Sequence, residues 1–556
     1  MAVGTTTRFA APASTGENPI WHAYETPRDD RTQLRAWDDD GYREYTWDDW
    51  RRGAERAACG LRARGVEPGA RVAAVLTNRF EVCAAVIGTW MAGAVLLSLP
   101  TLRRGQDPAD YVEQLRRLCG AIQPEALLLE ERFRELLGDQ SVGAPVVTFE
   151  ALPREGAFEP VPLADDATAF VQFSSGSTSD PKGCVLSMGA VGAQERMLAR
   201  RLEVDGDSRG VMWLPLSHDM GLFGCVLLSW ASGMRLTVGT PERFLRKPRT
   251  WMDDCVEFDA TITAGPNFGL GLAARHARRQ PPKGRFPLRT FVLGGERIEW
   301  VTIRDATDAL GPYGVEMRSI TPAYGLAEAT LAVTMKHLDQ LPEATTIDAE
   351  AAYRGKLVRR AANEAGTLSM VSCGPAMDGV SVRVDGDGAL GRICIRSEAL
   401  ASGYLDHPEQ TRSRFVGGEL ITEDIGFLEN GELHVLGRTD DAIAVGGRNI
   451  YARDVEIALG ECGGARPGCV TLVDVATNDE RRLTLLAEPS ADCDDLGELA
   501  TSMADVAYRT LGVRPHECVL VRPGSLPKTP SGKIQRFRCR ALLAVGADEI
   551  VDRVAL

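Results

Sequence analysis

From about Thr46 to Met335, short apolar runs alternate with helical patterns, and that alternation leaves the chain few ways to fold. The runs RVAAVL (71–76), EALLLE (125–130), AFVQF (169–173), GVMWLPL (210–216), MRLTVG (234–239) and TFVLGG (290–295) read as strands. Between them Trp50 to Arg64 and Met188 to Leu202 read as helices, the second placing Met188, Val191, Leu198 and Leu202 on one face. Strands separated by helices predict an α/β domain on a large, mostly parallel sheet. The apolar stretch from Val82 to Leu99 belongs to this pattern. Gly88, Thr89 and Gly93 interrupt it and Pro100 closes it, which fits a helix turning at Gly93 into a buried strand better than a membrane span.

The pattern then changes twice. From about Gly374 to Leu436, short alternating strands (SVRV, RICIRS, ELHVLG) broken by Gly and Asp clusters predict a β-rich subdomain. After Arg438 comes a smaller α+β pattern: AIAV, a helix from Ala452 to Leu459, CVTLVDVA, LTLLAE, a helix around Leu496 to Thr510, and ECVLVRP. A chain of 556 residues is too long for one core. The expected organisation is an N-terminal domain over 1–438, with its β-rich part at about 374–436, and a small C-terminal α+β domain over 439–556.

Charge and cysteine usage narrow the function classes. A net charge of −14 argues against nucleic acid or an anionic membrane as partner, while leaving room for local basic clefts that hold a phosphorylated ligand. The 13 cysteines are an odd number with no CxxC pair, which fits reduced thiols in the cytosol better than a disulfide framework or a zinc site. The start MAVGTTTRFA lacks the charged and apolar blocks of a secretory signal. A soluble, cytoplasmic enzyme is expected.

One stretch points to chemistry. VQFSSGSTSDPKGC (171–184) crowds five hydroxyl side chains, two glycines and a lysine after an apolar run and ahead of a helix beginning near Ser187. Backbone N–H groups and hydroxyls so placed can cradle a phosphate; a solvated Ser/Gly turn is the bland alternative. It is not a Walker loop, because GxxxxGK[ST] would need glycine where Pro181 stands.

The company the stretch keeps identifies it. SSGSTSDPKG, WLPLSHDMGL (213–222), TAGPNFGLGL (263–272), PAYGLAEAT (322–330), ITEDIGF (421–427), GRTDDAIAVGGRNIYARDVE (437–456) and LPKTPSGKIQR (526–536) together resemble, in order and over nearly the whole chain, the signatures of the adenylate-forming superfamily. Those enzymes include acyl-CoA synthetases, fatty acyl-AMP ligases and peptide-synthetase adenylation domains. The resemblance implies an ATP- and Mg-dependent acid–thiol ligase: a carboxylate attacks the α-phosphate, pyrophosphate leaves, and the acyl-AMP is handed to CoA or to the phosphopantetheine of an acyl carrier protein. Such a reaction needs cations and oriented dipoles around the phosphates.

Carried over by resemblance, Ser174, Ser175, Gly176, Ser177, Thr178 and Lys182 form the loop over the β- and γ-phosphates, and Thr178 with Glu328 holds magnesium. Lys533 reaches the α-phosphate. Gly294, Gly295 and Glu296 line the adenine, Tyr324, beside Gly325 and Leu326, stacks on it, and Asp424 and Arg438 meet the ribose or phosphate. Asp440 is the hinge of a mobile C-terminal lid that first delivers Lys533 and then turns to offer Gly446 and Gly447 for the thiol step. A surface lysine, a core tyrosine, and turn residues at Asp424 and at the glycine pair are the plain alternatives. His218, Phe268 and Gly269 are placed at the acyl pocket, which small residues would open to a bulky or long apolar acid; a core role for Phe268 is the alternative. Two positions depart from the family pattern, which usually has glycine where Ser179 and Glu423 stand; glycine often marks positive φ or close backbone approach.

His218-Asp219-Met220-Gly221, Pro266-Asn267-Phe268 and the run Tyr324–Thr330 look most like fatty acyl-AMP ligases. Residues 336–372 resemble the insertion of those ligases, thought to hinder the rotation that CoA requires. Two rivals remain beside this reading: a thiol ligase that uses supplied acyl-AMP, and a noncatalytic adenylate-binding protein.

Overall fold

The computed structural model describes residues 18–26, 28–102, 106–152, 160–173, 182–362, 364, 366–386, 390–445, 448–460, 462–477, 480–529, 532–545 and 549–556. Among the described residues, two large sheets carry the α/β part. The first runs in the order Ala332–Met335, Ile320–Gly325, Thr290–Leu293, Ile262–Gly265, Arg209–Met212, Arg235–Val238, Thr32–Asp38, Gly41–Thr46, parallel except at its two outermost pairs. The second runs Gly403–Tyr404, Gly183–Ser187, Thr168–Phe173, Val95–Leu99, Arg71–Val75, Ala126–Leu129, Val146–Thr148, parallel from Thr168–Phe173 onward. The predicted helix-to-strand turn is present. Phe80–Met91 is helical, Gly93 has φ +77°, and Val95–Leu99 is a strand. No described helix is long and apolar enough to cross a membrane, and no disulfide joins described cysteines.

Two expectations need correction. The run 210–216 leaves the strand at Met212. Pro215 has no N–H to give a ladder, and the buried Asn78 side chain substitutes for one: its Nδ2 donates to Leu214 O and Gly239 O, each at 2.8 Å, and its Oδ1 accepts from Leu216 N at 3.2 Å. Asn78 follows a strand of the second sheet and its three partners follow strands of the first, so this one amide joins the two sheets. The β-rich sheet also begins earlier than about 374. Ala344–Asp348 pairs with Thr367–Pro375, which pairs with Glu432–Arg438, so residues 336–372 supply strands to that sheet along with the short helix Ala349–Tyr353.

Beyond Arg438 come a one-turn 3-10 helix Thr439–Asp441, the hairpin Ala442–Val445 with Arg448–Tyr451, the helix Ala452–Leu459, and a four-stranded sheet in the order Ala465–Thr477, Glu480–Pro489, Glu517–Val521, Ile550–Ala555. One apolar cluster combines Ile347, Ala352, Tyr353 and Met370 with Ile450, Val455, Leu472 and Leu485. The 336–372 segment therefore shares a core with the C-terminal part of the chain. Asn78→Ala should strand three buried backbone groups and lower the free energy of unfolding by about 3 kcal/mol, read from urea melts followed by tryptophan fluorescence.

Candidate active site

A cavity of about 2940 Å³ opens where the two large sheets end, walled on its far side by residues of the C-terminal part, Lys533 among them. Parallel strands deliver their loops to one edge, which is where α/β sheets bind ligands.

The serine-rich loop was expected between a strand and a helix. Its flanks instead form an antiparallel pair, with Phe173 opposite Gly183, so it closes a hairpin and the helix Met188–Arg201 starts a full strand later. The helix N-terminus is thus not at the loop and cannot add its dipole there. Ser174, Ser175, Gly176, Ser177, Thr178 and Ser179 lie outside the described residues. Lys182 is described; it lines the cavity with Nζ 5.6 Å from the centre of the Tyr404 ring.

Glu328 sits in the 3-10 turn Ala327–Ala329 after strand Ile320–Gly325, and its Oε1 accepts from Tyr404 Oη at 2.9 Å. The turn is strained and tightly packed. Thr330, wholly buried, has φ +64°, a conformation β-branched residues avoid, and its Oγ1 donates to Ala399 O at 2.7 Å. A Cβ on Gly325 would lie 1.7 Å from Leu331 O, so no side chain is possible there. Gly325 and Leu326 both line the cavity.

Tyr324 donates its hydroxyl to Asp424 Oδ2 at 2.6 Å, and both border the cavity. Burial first, and the Asp424 charge second, push the Tyr324 phenol well above its ordinary value, so it remains a donor. Arg438 stands directly across the strand pair from Asp424, its Nη1 4.0 Å from Asp424 Oδ1. Glu423 lies in strand Glu419–Glu429 without positive φ, so its backbone does not require glycine. Its carboxylate pairs with Arg414 and accepts from Thr439 Oγ1.

Gly294, Gly295 and Glu296 follow strand Thr290–Leu293 and border the cavity. Gly295 has φ +77°, and a Cβ there would meet Met220 Cε at 2.9 Å. Glu296 Oε1 accepts from the amide of Phe268 at 2.6 Å, satisfying one of the free N–H groups at the start of helix Asn267–Arg279. Burial raises the Glu296 carboxyl, against the pull of Arg453, the Phe268 amide and Lys533.

His218 Nδ1 is 2.6 Å from Asp219 Oδ1, which also accepts from the Met220 amide at 2.7 Å. Burial pushes the Asp219 carboxyl up, but His218, Lys533 and that amide outweigh it and hold it below the ordinary aspartate value. Phe268 packs edge-on against Trp213 at 6.1 Å between ring centres and also lines the cavity. Gly269 does not border the cavity; a Cβ there would meet Trp213 Cζ2 at 2.9 Å.

Lys533 is thus brought to the wall formed by Asp219, Glu296 and Phe268. Its amide donates to Thr529 Oγ1 at 3.0 Å, its carbonyl accepts from the Thr529 amide at 2.7 Å, and a Cβ on neighbouring Gly532 would lie 2.7 Å from Phe268 Cζ. The backbone of Asp440 falls in the turn Thr439–Asp441, while Gly446 and Gly447 lie outside the described residues.

The residues that seat Lys533 were not singled out from sequence. Arg453 pairs with Glu299, reaches Glu296 at 3.9 Å and Glu456 at 3.5 Å; Glu456 accepts from Arg536 at 2.7 Å, and Arg536 reaches Asp441 at 2.7 Å. Both arginines fall inside the quoted motifs, which was the available signal. A second tie joins Arg297 to Asp454, whose other oxygen accepts from Tyr353 Oη at 3.0 Å. Tyr404 carries no spacing cue.

Residues 21–405 match the family model described as AMP-binding enzyme. A putative ligase (Rv1013) of Mycobacterium tuberculosis is 32% identical over 511 residues, 88% of this chain and 93% of that protein. The long-chain-fatty-acid–AMP ligase FadD32 of Mycolicibacterium smegmatis is 29% identical over 578 residues, 91% of this chain and 90% of that one. A fatty acyl-adenylate ligase from L. pneumophila, solved in complex with acyl adenylate and pyrophosphate, superposes with a TM-score of 0.71 at 25% identity, covering 94% of this chain and 95% of that one.

Arg297→Ala should leave the buried Asp454 carboxylate without its cation and destabilise the protein by about 3 kcal/mol. Urea unfolding reads the loss, and hydrogen exchange in the helix Ala452–Leu459 should rise with it.

Proposed function

The chain belongs to the family of AMP-binding enzymes, and on that footing we propose that it is an acyl-AMP ligase, activating a long or bulky apolar carboxylic acid with ATP and passing the acyl group to a thiol. The observation that carries the reading is the presence in one cavity of Lys533, the Tyr324–Asp424 pair and the Gly294–Glu296 segment. A carboxylate acylates poorly until its oxygen is made a leaving group, and the obstacle to that step is negative charge gathering at phosphorus.

Each group has a part in lowering it. The Asp424 carboxylate, steadied by Tyr324, accepts from the ribose hydroxyls, and Gly294 and Gly295 let the purine approach the backbone. Lys533 meets the charge on the α-phosphate as the acid attacks in line, while pyrophosphate leaves toward Lys182 and the hydroxyl loop. Glu328 offers the carboxylate oxygen that a hard divalent cation takes, with Thr178 as its partner, and magnesium bound there would neutralise the phosphates. Asp219, which shares the cavity wall with Lys533 and feels its charge, favours the ammonium facing the cavity.

Transfer to a thiol requires the lid, residues 439–556, to turn about Asp440 and present Gly446 and Gly447. The Arg297–Asp454–Tyr353 tie and the shared apolar cluster oppose that turn, which supports the adenylating arrangement as the resting one. The acceptor is CoA or a carrier-protein phosphopantetheine. Glu423, one of the two departures from the family pattern, lies on ordinary strand backbone and lends a ligase unable to adenylate no support.

Lys533→Ala should lower acid-dependent pyrophosphate release by about 10²–10³-fold with ATP still bound. Unchanged release in the presence of a competent acid would overturn the assignment.

A further inference from the structure

Five residues, 401–405, touch both the turn that carries Glu328 and the hairpin that carries the hydroxyl loop. Their backbone is bonded at each end: the Ala401 amide donates to Glu328 O and the Leu405 amide to Gly183 O, both at 2.8 Å. Between these bonds Gly403–Tyr404 pairs antiparallel with Gly183–Ser187, the strand that leaves the loop. The Ser402 amide adds a bond to Val185 O at 2.9 Å. The turn Ala327–Ala329 and the loop flank are therefore fastened to one short strand.

The Tyr404 side chain makes the same connection a second time. Its hydroxyl donates to Glu328 Oε1 at 2.9 Å, and Lys182 Nζ stands 5.6 Å from the centre of its ring. A cation over an aromatic face is attracted by the negative charge of that face. The ring has little freedom: it is 7% exposed, meets Phe415 edge-on at 5.6 Å, and follows an amide that donates to Thr411 Oγ1 at 2.9 Å. Burial first, and the Glu328 charge second, push the phenol well above its ordinary value, so it stays a donor. Tyr404, Glu328 and Lys182 all border the cavity.

The carboxylate so held is only half used. Among the described residues Glu328 Oε2 accepts no hydrogen bond, although Glu328 stands on the cavity wall. No group of three or more His, Cys, Asp or Glu side chains that could hold a metal occurs among the described residues. A divalent cation here would rest on one carboxylate and on phosphate oxygens, an arrangement magnesium accepts. A lone carboxylate ligand has to be aimed by something other than its fellow ligands. We propose that Tyr404 is the positioning residue of this metal site: its hydroxyl fixes one oxygen of Glu328 so that the other meets the cation, and its ring keeps Lys182 beside the same phosphates. The inference rests on the acyl-AMP ligase reading and adds to it the residue that aligns the metal ligand. Tyr404 acts through Glu328 and Lys182 and takes no part in the transfer itself.

The test titrates Mn²⁺ into the protein and follows water-proton relaxation, with ATP kept below the protein concentration so that the metal reports the bound nucleotide. In parallel, pyrophosphate release with a competent acid is measured against Mg²⁺ concentration. Tyr404→Phe should raise the metal midpoint in both titrations by about tenfold, the effect of losing one hydrogen bond to a charged group, and excess Mg²⁺ should restore most of kcat. Tyr404→Leu should raise KM for ATP about threefold beyond Tyr404→Phe, because the ring beneath Lys182 is gone as well. In a Glu328→Gln background, where the phosphates alone hold the metal, Tyr404→Phe should shift the midpoint no further. Unchanged midpoints in Tyr404→Phe overturn the inference, and so do losses that simply add in the double variant, the mark of a merely structural role. An unaltered protein that leaves Mn²⁺ relaxation unchanged also overturns it, while acid-dependent pyrophosphate release would still uphold the ligase reading. Absence of release with every acid brings down that reading, and the Mn²⁺ titration then decides the role of Tyr404 by itself.

Discussion

The chain of ion pairs from Glu296 through Arg453, Glu456 and Arg536 to Asp441 decides where Lys533 stands. Among the described residues, the Lys533 backbone is tied to Thr529, on a loop that touches the rest of the cavity at Phe268. Its nearness to Asp219 and Glu296 depends on the far more extensive pairing of its neighbours. Glu456 is 6% exposed at the side chain and accepts from both Arg536 and Thr471, so its charge is fully compensated in place. A pair so buried is costly to break from one side, by about 3–5 kcal/mol. Of these pairs, those of Arg453 with Glu296 and Glu299 join the C-terminal part to the rest of the chain and would break if that part turned away, whereas Arg453–Glu456, Glu456–Arg536 and Arg536–Asp441 lie within it and would move with it.

That arrangement also explains why residues 336–372 matter to the cavity. Residues 336–372 reach the cavity wall at Val371, and through Tyr353 and a common apolar cluster they hold the helix Ala452–Leu459 in place. Strain accumulates on the opposite side. Thr330 at φ +64° and the Gly325 contact fix the turn presenting Glu328, and Tyr404 bonds the carboxylate from across the second sheet's edge. The cavity is thus rigid around Glu328 and dependent on ion pairs where the C-terminal part meets it.

Much of this was legible in the sequence, for reasons that differ by element. The parallel strands and the Gly93 turn were readable because burial on both faces leaves long apolar runs. The ending of 210–216 at Met212 was not, since it depends on an asparagine over a hundred residues earlier taking over the backbone hydrogen bonds. The site residues were readable as motifs, but the strand between the hydroxyl loop and its helix was hidden because GCVLS is too short to announce itself. Tyr404 and Arg536 act through partners far away in sequence, as Arg453 does through Glu296 and Glu299, and no local spacing encodes such a partner. Glu423 shows the converse: a departure that looked damaging in the motif is accommodated by Arg414 and Thr439.

The most direct measurement incubates the protein with ATP, magnesium and a panel of aliphatic and arylalkanoic acids in the absence of any thiol, following pyrophosphate and the acid-derived product by mass spectrometry. The account predicts acyl-AMP and pyrophosphate in equal amounts with at least one acid. Absence of both with every acid, while acyl-AMP supplied from outside is consumed once a thiol is added, would contradict it.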